Sequence, residues 1–244
     1  MAWLDPVKDA LDDAPAPVRV FFRDDDAGWR DDRLLALLDV FEASALPVDL
    51  AVIPAALSQE LARELRARAG SHLGLHQHGF SHTNHEPEGR KHEFGPARPP
   101  HVQAEDIAAG ADRLGDLLGD ALDPFFTPPW NRCTAATGEA LERQGFKVLS
   151  REARAEPLRI AGLRELPVHV DWCRVRDGAR ATPDEIAAMV AAALRLPGES
   201  PRGVMFHHAV MDRRDRERAG ELLMLLAAHP RARPGRMRSF ADCC

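Results

Sequence analysis

Residues 18–54 read VRVFFRDDDAGWRDDRLLALLDVFEASALPVDLAVIP. The apolar runs at 18–22 and 47–54 have the length and composition of buried strands. Between them, residues 31–45 carry apolar side chains at helical spacing after an Asp-rich start, which suits a helix N-terminus. A strand, a helix and a second strand in this order predict two parallel strands joined by a crossover helix.

The same alternation continues through the rest of the chain. Further strands are predicted at 72–75, 124–129, 147–150, 166–172 and 203–208. Further helices are predicted at 57–70, 102–119, 134–146, 182–196 and 215–229. About seven or eight such units predict an α/β fold, a barrel of mostly parallel strands with outer helices. We expect residues 18–244 to form this single domain, preceded by an N-terminal extension at 1–17.

The composition limits the class of partner. The chain has 244 residues and a formal net charge of −6, which gives no electrostatic reason to expect a nucleic acid partner. Its first residues are acidic and lack a continuous apolar run, so we expect no signal peptide, no membrane span and a cytoplasmic location. No CxxC pair occurs among Cys133, Cys173, Cys243 and Cys244, which are expected to be free thiols.

Polar and aromatic clusters follow several of the predicted strands. They are RDDDAG (23–28), HQHGFSH (76–82), TPPWN (127–131), HVDW (169–172) and HH (207–208). In a parallel α/β barrel the carboxyl ends of the strands meet at one rim, where active sites lie. The clusters therefore predict one active site at that rim.

Two of the histidines are candidate metal ligands. His78 and His82 are four residues apart and share a face if the chain turns helically there. Two imidazoles so placed can bind one metal ion, and a carboxylate from the three aspartates at 24–26 would complete the set. Because successive strand residues point to opposite faces, not all three aspartates can point inward. His76 and His85 are alternative ligands.

Aromatic residues in the later clusters are candidates for substrate contact. Pro129 fixes the backbone before Trp130, whose indole would form a groove wall and whose backbone N–H would stabilise an oxyanion. Trp172 offers a second indole face that suits stacking on a sugar ring, although an indole is as often part of the core.

A histidine at the end of the last clear strand is a candidate acid. Either His207 or His208 should point into the barrel mouth, because neighbouring strand residues alternate. A histidine there could protonate a leaving group. Asp171 is the natural partner to fix its tautomer.

The ordered motifs RDDDAG, HGFSH, FTPPWN, HVDW and MFHH resemble those of the polysaccharide deacetylases, also called NodB-homology or carbohydrate esterase family 4 enzymes. The resemblance covers residues 18–210. It implies a distorted (β/α)7-type barrel and the removal of acetyl groups from N- or O-acetylated sugars. Some relatives cleave other non-peptide C–N bonds.

The resemblance also implies a role for the first two motifs. It makes Asp25 the catalytic base and Asp26 a metal ligand, with Asp24 as base and Asp25 as ligand in the alternative register. His78 and His82 would be the other ligands. Zn²⁺ suits two imidazoles and a carboxylate best, and Co²⁺, Ni²⁺ or Mn²⁺ would also fit.

Of the later motifs, one matches the family pattern and one departs from it. The family's last motif, a histidine after an apolar strand, matches His207. The Arg-Pro-Pro-aromatic-Gly motif appears with Thr127 in place of the arginine that orients the base and with Asn131 in place of the glycine. Arg23 and Arg132 are the candidates to replace that arginine.

The sequence thus predicts a metal-dependent hydrolase that removes an acetyl or related acyl group from an N- or O-acetylated sugar or sugar-like metabolite. The expected partner is a small-molecule or carbohydrate substrate. One alternative is hydrolysis of another non-peptide C–N bond in a small metabolite, and another is a non-catalytic barrel that binds sugar or metal. A candidate base and a candidate acid favour an enzyme, because a binding protein needs neither.

Overall fold

Strands and helices alternate along most of the chain, as the hydrophobic pattern predicts. A computed structural model describes residues 2–241. Its strands are β1 Val18–Ala27, β2 Val48–Val52, β3 Leu73–His78, β4 Leu122–Thr127, β5 Val148–Leu149, β6 Arg164–Glu165, β7 Val168–Asp171, β8 Val175–Arg176, β9 Ala179–Arg180, β10 Arg202–Phe206 and β11 Ala232–Pro234. Its α-helices are α1 Asp5–Asp12, α2 Asp31–Ser44, α3 Gln59–Arg68, α4 Pro100–Leu118, α5 Ala135–Arg143, α6 Pro183–Leu194, α7 Arg213–Ala228 and α8 Met237–Ala241. Short 3₁₀ helices cover Ala2–Leu4, Gly119–Ala121, Pro129–Asn131 and His208–Val210.

The main sheet curls on itself. Its order is β6-β5-β4-β3-β2-β1-β10-β7, with β11 beside β1, and all of these neighbours are parallel. The segment that carries β6 and β7 continues to pair with the residues after β5: Ala153 N donates to Val168 O at 2.8 Å, and Val168 N donates to Arg151 O at 2.8 Å. This segment therefore meets β5 on one side and β10 on the other. The result is a distorted (β/α)7-type barrel with outer helices, which confirms the predicted fold class.

Alternation along the strands separates an outer core from the barrel interior. In β1, Val20 and Phe22 belong to the large apolar cluster between the sheet and the helices, while Phe21 belongs to the interior cluster. Met237 and Phe240 of α8 also belong to the interior cluster. The C-terminal helix therefore fills the end of the barrel opposite the predicted active-site rim.

Two buried carboxylates hold α8 in this position. Asp49 and Asp123 lie near the starts of β2 and β4, and each is at most 2% exposed. Arg236 forms ion pairs with both, Arg238 forms a second pair with Asp123, and Met237 N donates to Asp49 Oδ2 at 2.8 Å. Because breaking a buried ion pair leaves an uncompensated charge, α8 and the starts of these strands depend on one another.

The N-terminal residues contain a helix that the sequence pattern did not predict. Helix α1 lies within the extension assigned to residues 1–17 and begins with a proline in its first turn. Leu4, Val7 and Leu11 are buried and join the outer core beside α6. The short antiparallel hairpin of β8 and β9 was also not predicted.

Two further expectations concern membranes and thiols. Between residues 2 and 241, no helix combines the length and the apolar character that crossing a membrane requires. Cys133 and Cys173 are free thiols, as predicted. Cys243 and Cys244 lie outside the described residues.

The substitution Arg236→Met is expected to destabilise the fold, because Asp49 then loses its buried cationic partner. The free energy of unfolding, measured by urea denaturation, should fall by about 3–5 kcal/mol. Arg238→Met is the matched control, since the Arg238 side chain is 53% exposed and that of Arg236 is 13% exposed. The control should cost about 1 kcal/mol or less. Equal losses would show that the buried pair does not hold α8.

Candidate metal and catalytic site

The three aspartates at the end of β1 point in different directions. Asp24 and Asp25 are buried on opposite sides of the strand, as alternation requires. Asp26 follows in the segment where the pairing of β1 with β2 shifts register, and its φ of 71° is left-handed. In this conformation the Asp26 carboxylate lies against His78 and His82.

Asp26, His78 and His82 form the cluster that could hold a metal ion. Oδ1 of Asp26 lies 3.2 Å from Nε2 of His78 and 3.2 Å from Nε2 of His82. The three ligand atoms all lie within 4.8 Å of one another. Two atoms that each lie about 2.0–2.1 Å from a tetrahedral Zn²⁺ are separated by about 3.3 Å. The donor set and the two carboxylate–imidazole separations therefore fit one such ion.

The orientation of His78 also suits a metal ligand. The ring is buried at the end of β3, and its Nδ1 lies 2.9 Å from the backbone oxygen of Thr127. Because a carbonyl oxygen only accepts hydrogen bonds, Nδ1 is the nitrogen that carries the proton. The lone pair of Nε2 is then directed toward Asp26, the arrangement in which a backbone carbonyl fixes the tautomer of a ligating histidine.

The loop between the two histidines is not the helical turn that their spacing suggests. Gly79 and His82 both have a left-handed φ of 57°. Buried Glu93 accepts hydrogen bonds from Phe80 N at 3.2 Å and from Ser81 N at 2.7 Å. A Cβ at position 79 would lie 2.1 Å from Glu93 Oε2, so this turn requires glycine. Glu93, which sequence reasoning missed, therefore shapes the loop that carries His82.

Two indoles flank His82. The ring centroid of His82 is 4.8 Å from that of Trp29 and 4.5 Å from that of Trp130. Trp130 has a left-handed φ of 54°, an uncommon conformation for so bulky a residue, and Pro129 before it is buried. Trp29 is 39% exposed and was missed by sequence reasoning. The candidate metal site therefore has an aromatic rim on both sides of one ligand.

Arg23 supplies the cation that the altered motif lacks. It is fully buried, and its Nε and Nη2 donate to the two carboxylate oxygens of Asp25 at 2.7 and 2.9 Å. The same guanidinium donates to Ser150 Oγ at 2.7 Å and to Asn131 Oδ1 at 2.6 Å. Burial opposes ionisation of Asp25, but Arg23 holds the pKa of this carboxyl below its usual value. Arg132, the other candidate, donates to a backbone carbonyl instead.

His207 stands between Asp25 and Asp171. Its Nε2 is 4.0 Å from Asp25 Oδ2, and its Nδ1 is 3.9 Å from Asp171 Oδ1. Both separations exceed a hydrogen bond, so the structure shows proximity without direct bonding. The His207 side chain is 27% exposed, which leaves the ring accessible from the surrounding groove.

The alternative candidates have other partners. His208 Nδ1 lies 2.6 Å from Asp24 Oδ2, and its Nε2 lies 2.6 Å from the backbone oxygen of Trp29. Burial favours the neutral ring, but Asp24 raises the pKa of His208 to about 9. His76 Nε2 lies 2.8 Å from Thr127 Oγ1, and burial lowers the pKa of His76 to about 3. The structure thus places these alternatives outside the donor cluster.

Two further sequence candidates also lie away from the cluster. Trp172 is 1% exposed and packs in the core, 5.2 Å from Phe206 and 6.4 Å from Trp3 between ring centroids. The expectation that its indole stacks on a sugar is therefore wrong for this structure. His85 is exposed, and the cluster found among residues 2–241 does not include it.

No family model matches this sequence, and no curated protein matches it. Solved structures do match it. A protein classified as a polysaccharide deacetylase from Mycobacterium smegmatis has a TM-score of 0.64 at 17% identity, over 94% of this chain and 91% of that one. A family 4 acetyl xylan esterase from Clostridium thermocellum, in complex with a cobalt ion, has a TM-score of 0.54 at 14% identity, over 84% and 81%.

A third match is to a family 4 pseudoenzyme from Bacillus anthracis, with a TM-score of 0.60 at 11% identity, over 94% of this chain and 67% of that one. The chain has the polysaccharide deacetylase fold. This agrees with the resemblance that its motifs suggest. In this fold, Asp26 of the first motif lies beside His78 and His82 of the second motif.

The protein is expected to bind about one Zn²⁺ per chain, as measured by isothermal titration with a zinc salt after chelator treatment. Asp26→Ala should weaken this binding at least about 100-fold, because it removes the carboxylate that both imidazoles face. His85→Ala is the matched control from the same histidine-rich segment and should bind zinc like the unmodified protein. Undiminished binding by Asp26→Ala would rule out this cluster as the metal site.

Proposed function

We propose that this protein is a metal-dependent hydrolase that removes an acetyl or related acyl group from an N- or O-acetylated sugar or sugar-like metabolite. The observation that carries the proposal is the meeting of a donor cluster, a carboxylate clamped by a guanidinium, and an accessible histidine at one end of the barrel. The similarity in fold to deacetylases and esterases supports it. The cytoplasmic location stays a prediction.

Asp26, His78 and His82 are the residues that would hold the metal ion, and Zn²⁺ is the ion that their chemistry suits best. Co²⁺, Ni²⁺ and Mn²⁺ remain compatible with the same donors. A bound ion would polarise the acyl carbonyl and acidify the attacking water.

Asp25 is proposed to be the general base that takes a proton from that water. Both of its oxygens accept hydrogen bonds from Arg23, so its orientation is fixed by two contacts. The guanidinium also keeps the carboxyl ionised and thus able to accept a proton at neutral pH. Arg23 acts here as a positioning residue, the role expected from the sequence.

His207 is proposed to be the general acid. When the acyl C–N or C–O bond breaks, its imidazolium would give a proton to the departing amine or alkoxide. Asp171, whose Oδ1 is 3.9 Å from Nδ1, is proposed to fix the ring orientation. Trp130 is proposed to form the wall of the substrate groove, with its backbone N–H near the developing oxyanion.

A non-catalytic binding barrel is the second candidate, because one protein with this fold is a pseudoenzyme. The geometry favours an enzyme: a binding barrel needs neither the Arg23–Asp25 clamp nor an accessible His207 beside it. Hydrolysis of a different non-peptide C–N bond would use the same groups and differ only in the substrate.

The zinc-loaded protein is expected to release acetate from at least one member of a panel of N- and O-acetylated sugars. Asp25→Asn should lower kcat by about 10²–10⁴-fold, because the amide cannot accept the proton of water. Asp32→Asn, an exposed change of the same kind in the first turn of α2, is the control and should leave kcat unchanged. If no panel member yields acetate but sugars still bind, the binding-barrel hypothesis replaces this one.

The substitution Arg23→Lys tests the clamp on Asp25. Lysine keeps the charge but loses the planar fork that holds both carboxylate oxygens. We expect kcat to fall by about 10–100-fold, with KM and zinc stoichiometry unchanged. Ser150→Ala removes only one partner of Arg23 and should have a smaller effect on kcat. A kcat for Arg23→Lys equal to that of the unmodified enzyme would exclude a positioning role.

A further inference from the structure

The groove beside His207 has an excess of positive charge. Its volume is about 760 Å³, and His207 and Trp130 are part of its wall. The charged side chains of its lining in the described part of the chain are Arg90, Arg132, Arg154, Arg174, Glu152 and Asp171. Four arginines thus face two carboxylates, on a chain whose net charge is −6. The net charge of the groove lining is therefore positive, whereas the net charge of the whole chain is negative.

The two carboxylates of the groove can balance at most two of its four arginines. Glu152 pairs with Arg154 at 3.0 Å, and Asp171 faces His207. For the other three arginines, no carboxylate within residues 2–241 approaches to ion-pair distance. These three guanidinium groups are Arg90, Arg132 and Arg174.

Arg132 has an unsatisfied hydrogen-bond donor beside the groove. Its Nε is buried without a hydrogen-bond partner among the described residues, and its Nη1 donates only to the Lys91 carbonyl at 3.2 Å. Burial and the neighbouring charge of Arg90 hold the pKa of Arg132 below its usual value, although the Glu152 carboxylate acts in the opposite direction. An anion bound beside Arg90 and Arg132 would offset the repulsion between these two like charges. Arg132 follows Trp130 and Asn131, so this unsatisfied charge adjoins the proposed reaction centre.

We infer that the substrate carries an anionic group, a carboxylate or a phosphate, on the sugar that bears the acyl group. This inference rests on the proposed function and specifies its substrate class. Guanidinium groups bind both anions through paired N–H donors. Arg132 and Arg174 line the same groove as Trp130 and His207, so they are the guanidinium groups proposed to bind this anion.

The preference for an anionic sugar is tested by measuring equilibrium binding of sugars to the zinc-loaded Asp25→Asn variant, in which turnover is suppressed. The probes are N-acetylglucosamine, N-acetylglucosamine 6-phosphate and N-acetylmuramic acid, which are neutral, phosphorylated and carboxylated. At least one anionic sugar should bind about tenfold or more tightly than the neutral one, and the better of the two identifies the anion. Adding Arg132→Gln and Arg174→Gln should abolish that gain. Adding Arg176→Gln, an exposed arginine of β8 outside the groove, should preserve it.

The outcomes separate this inference from the proposed function. Equal binding of all three sugars, or a gain that survives the double arginine substitution, overturns the inference. Acetate release by the unmodified enzyme with equal kcat/KM for neutral and anionic sugars also overturns it, while the hydrolase proposal stands. An anion preference that depends on both arginines, without acetate release from any sugar, supports an anionic ligand for this groove and rejects deacetylation of these sugars.

Discussion

A buried ion pair inside the barrel is the constraint on which the site depends. Arg23 cannot lose its proton, so a fully buried guanidinium requires an anion, and Asp25 supplies it with both oxygens. The remaining donors bind Asn131 and Ser150, and Ser150 Oγ donates onward to Leu166 O at 2.6 Å. One charge therefore connects β1, the loop after β4, β5 and the segment leading to β7. Arg23 and Asp25 each offset the cost of burying the other's charge. Their two hydrogen bonds also fix the orientation of the Asp25 carboxylate, the proposed base.

Side chains alternate between the two faces of β1, and this alternation separates the outer apolar core from the barrel interior. It also places the Arg23–Asp25 pair and the Asp24–His208 pair on opposite faces. Arg23 and Asp25 share the inner face of β1, whereas Asp24 points outward and pairs with His208. Just after β10, His207 lies beside Asp25 and its neighbour His208 does not. The sequence predicted that adjacent aspartates and adjacent histidines would point to opposite faces, because side chains along a strand alternate with a period of two. It left open which member of each set points inward.

What sequence could not supply is the geometry of the loops. The spacing of His78 and His82 predicts a shared metal ion, but the chain brings them together through left-handed residues rather than a helical turn. Glu93 holds that loop from a segment without periodicity, where no pattern distinguishes it from a solvated acid. Similarly, Trp29 and Trp172 each adjoin a motif, and only the packing shows that the first borders the site and the second lies in the core.

The departure at Thr127 has a physical explanation in the charge balance of the interior. Thr127 points into the barrel, where its Oγ1 binds His76 and its backbone oxygen fixes His78. An arginine at this position would add a second guanidinium to an interior that already contains Arg23, and like charges in a buried space repel strongly. The arginine that the family resemblance expects at 127 is thus replaced by one on the same strand as Asp25. The position of the cation differs from the one that the resemblance implies, but one buried carboxylate is still matched by one buried guanidinium.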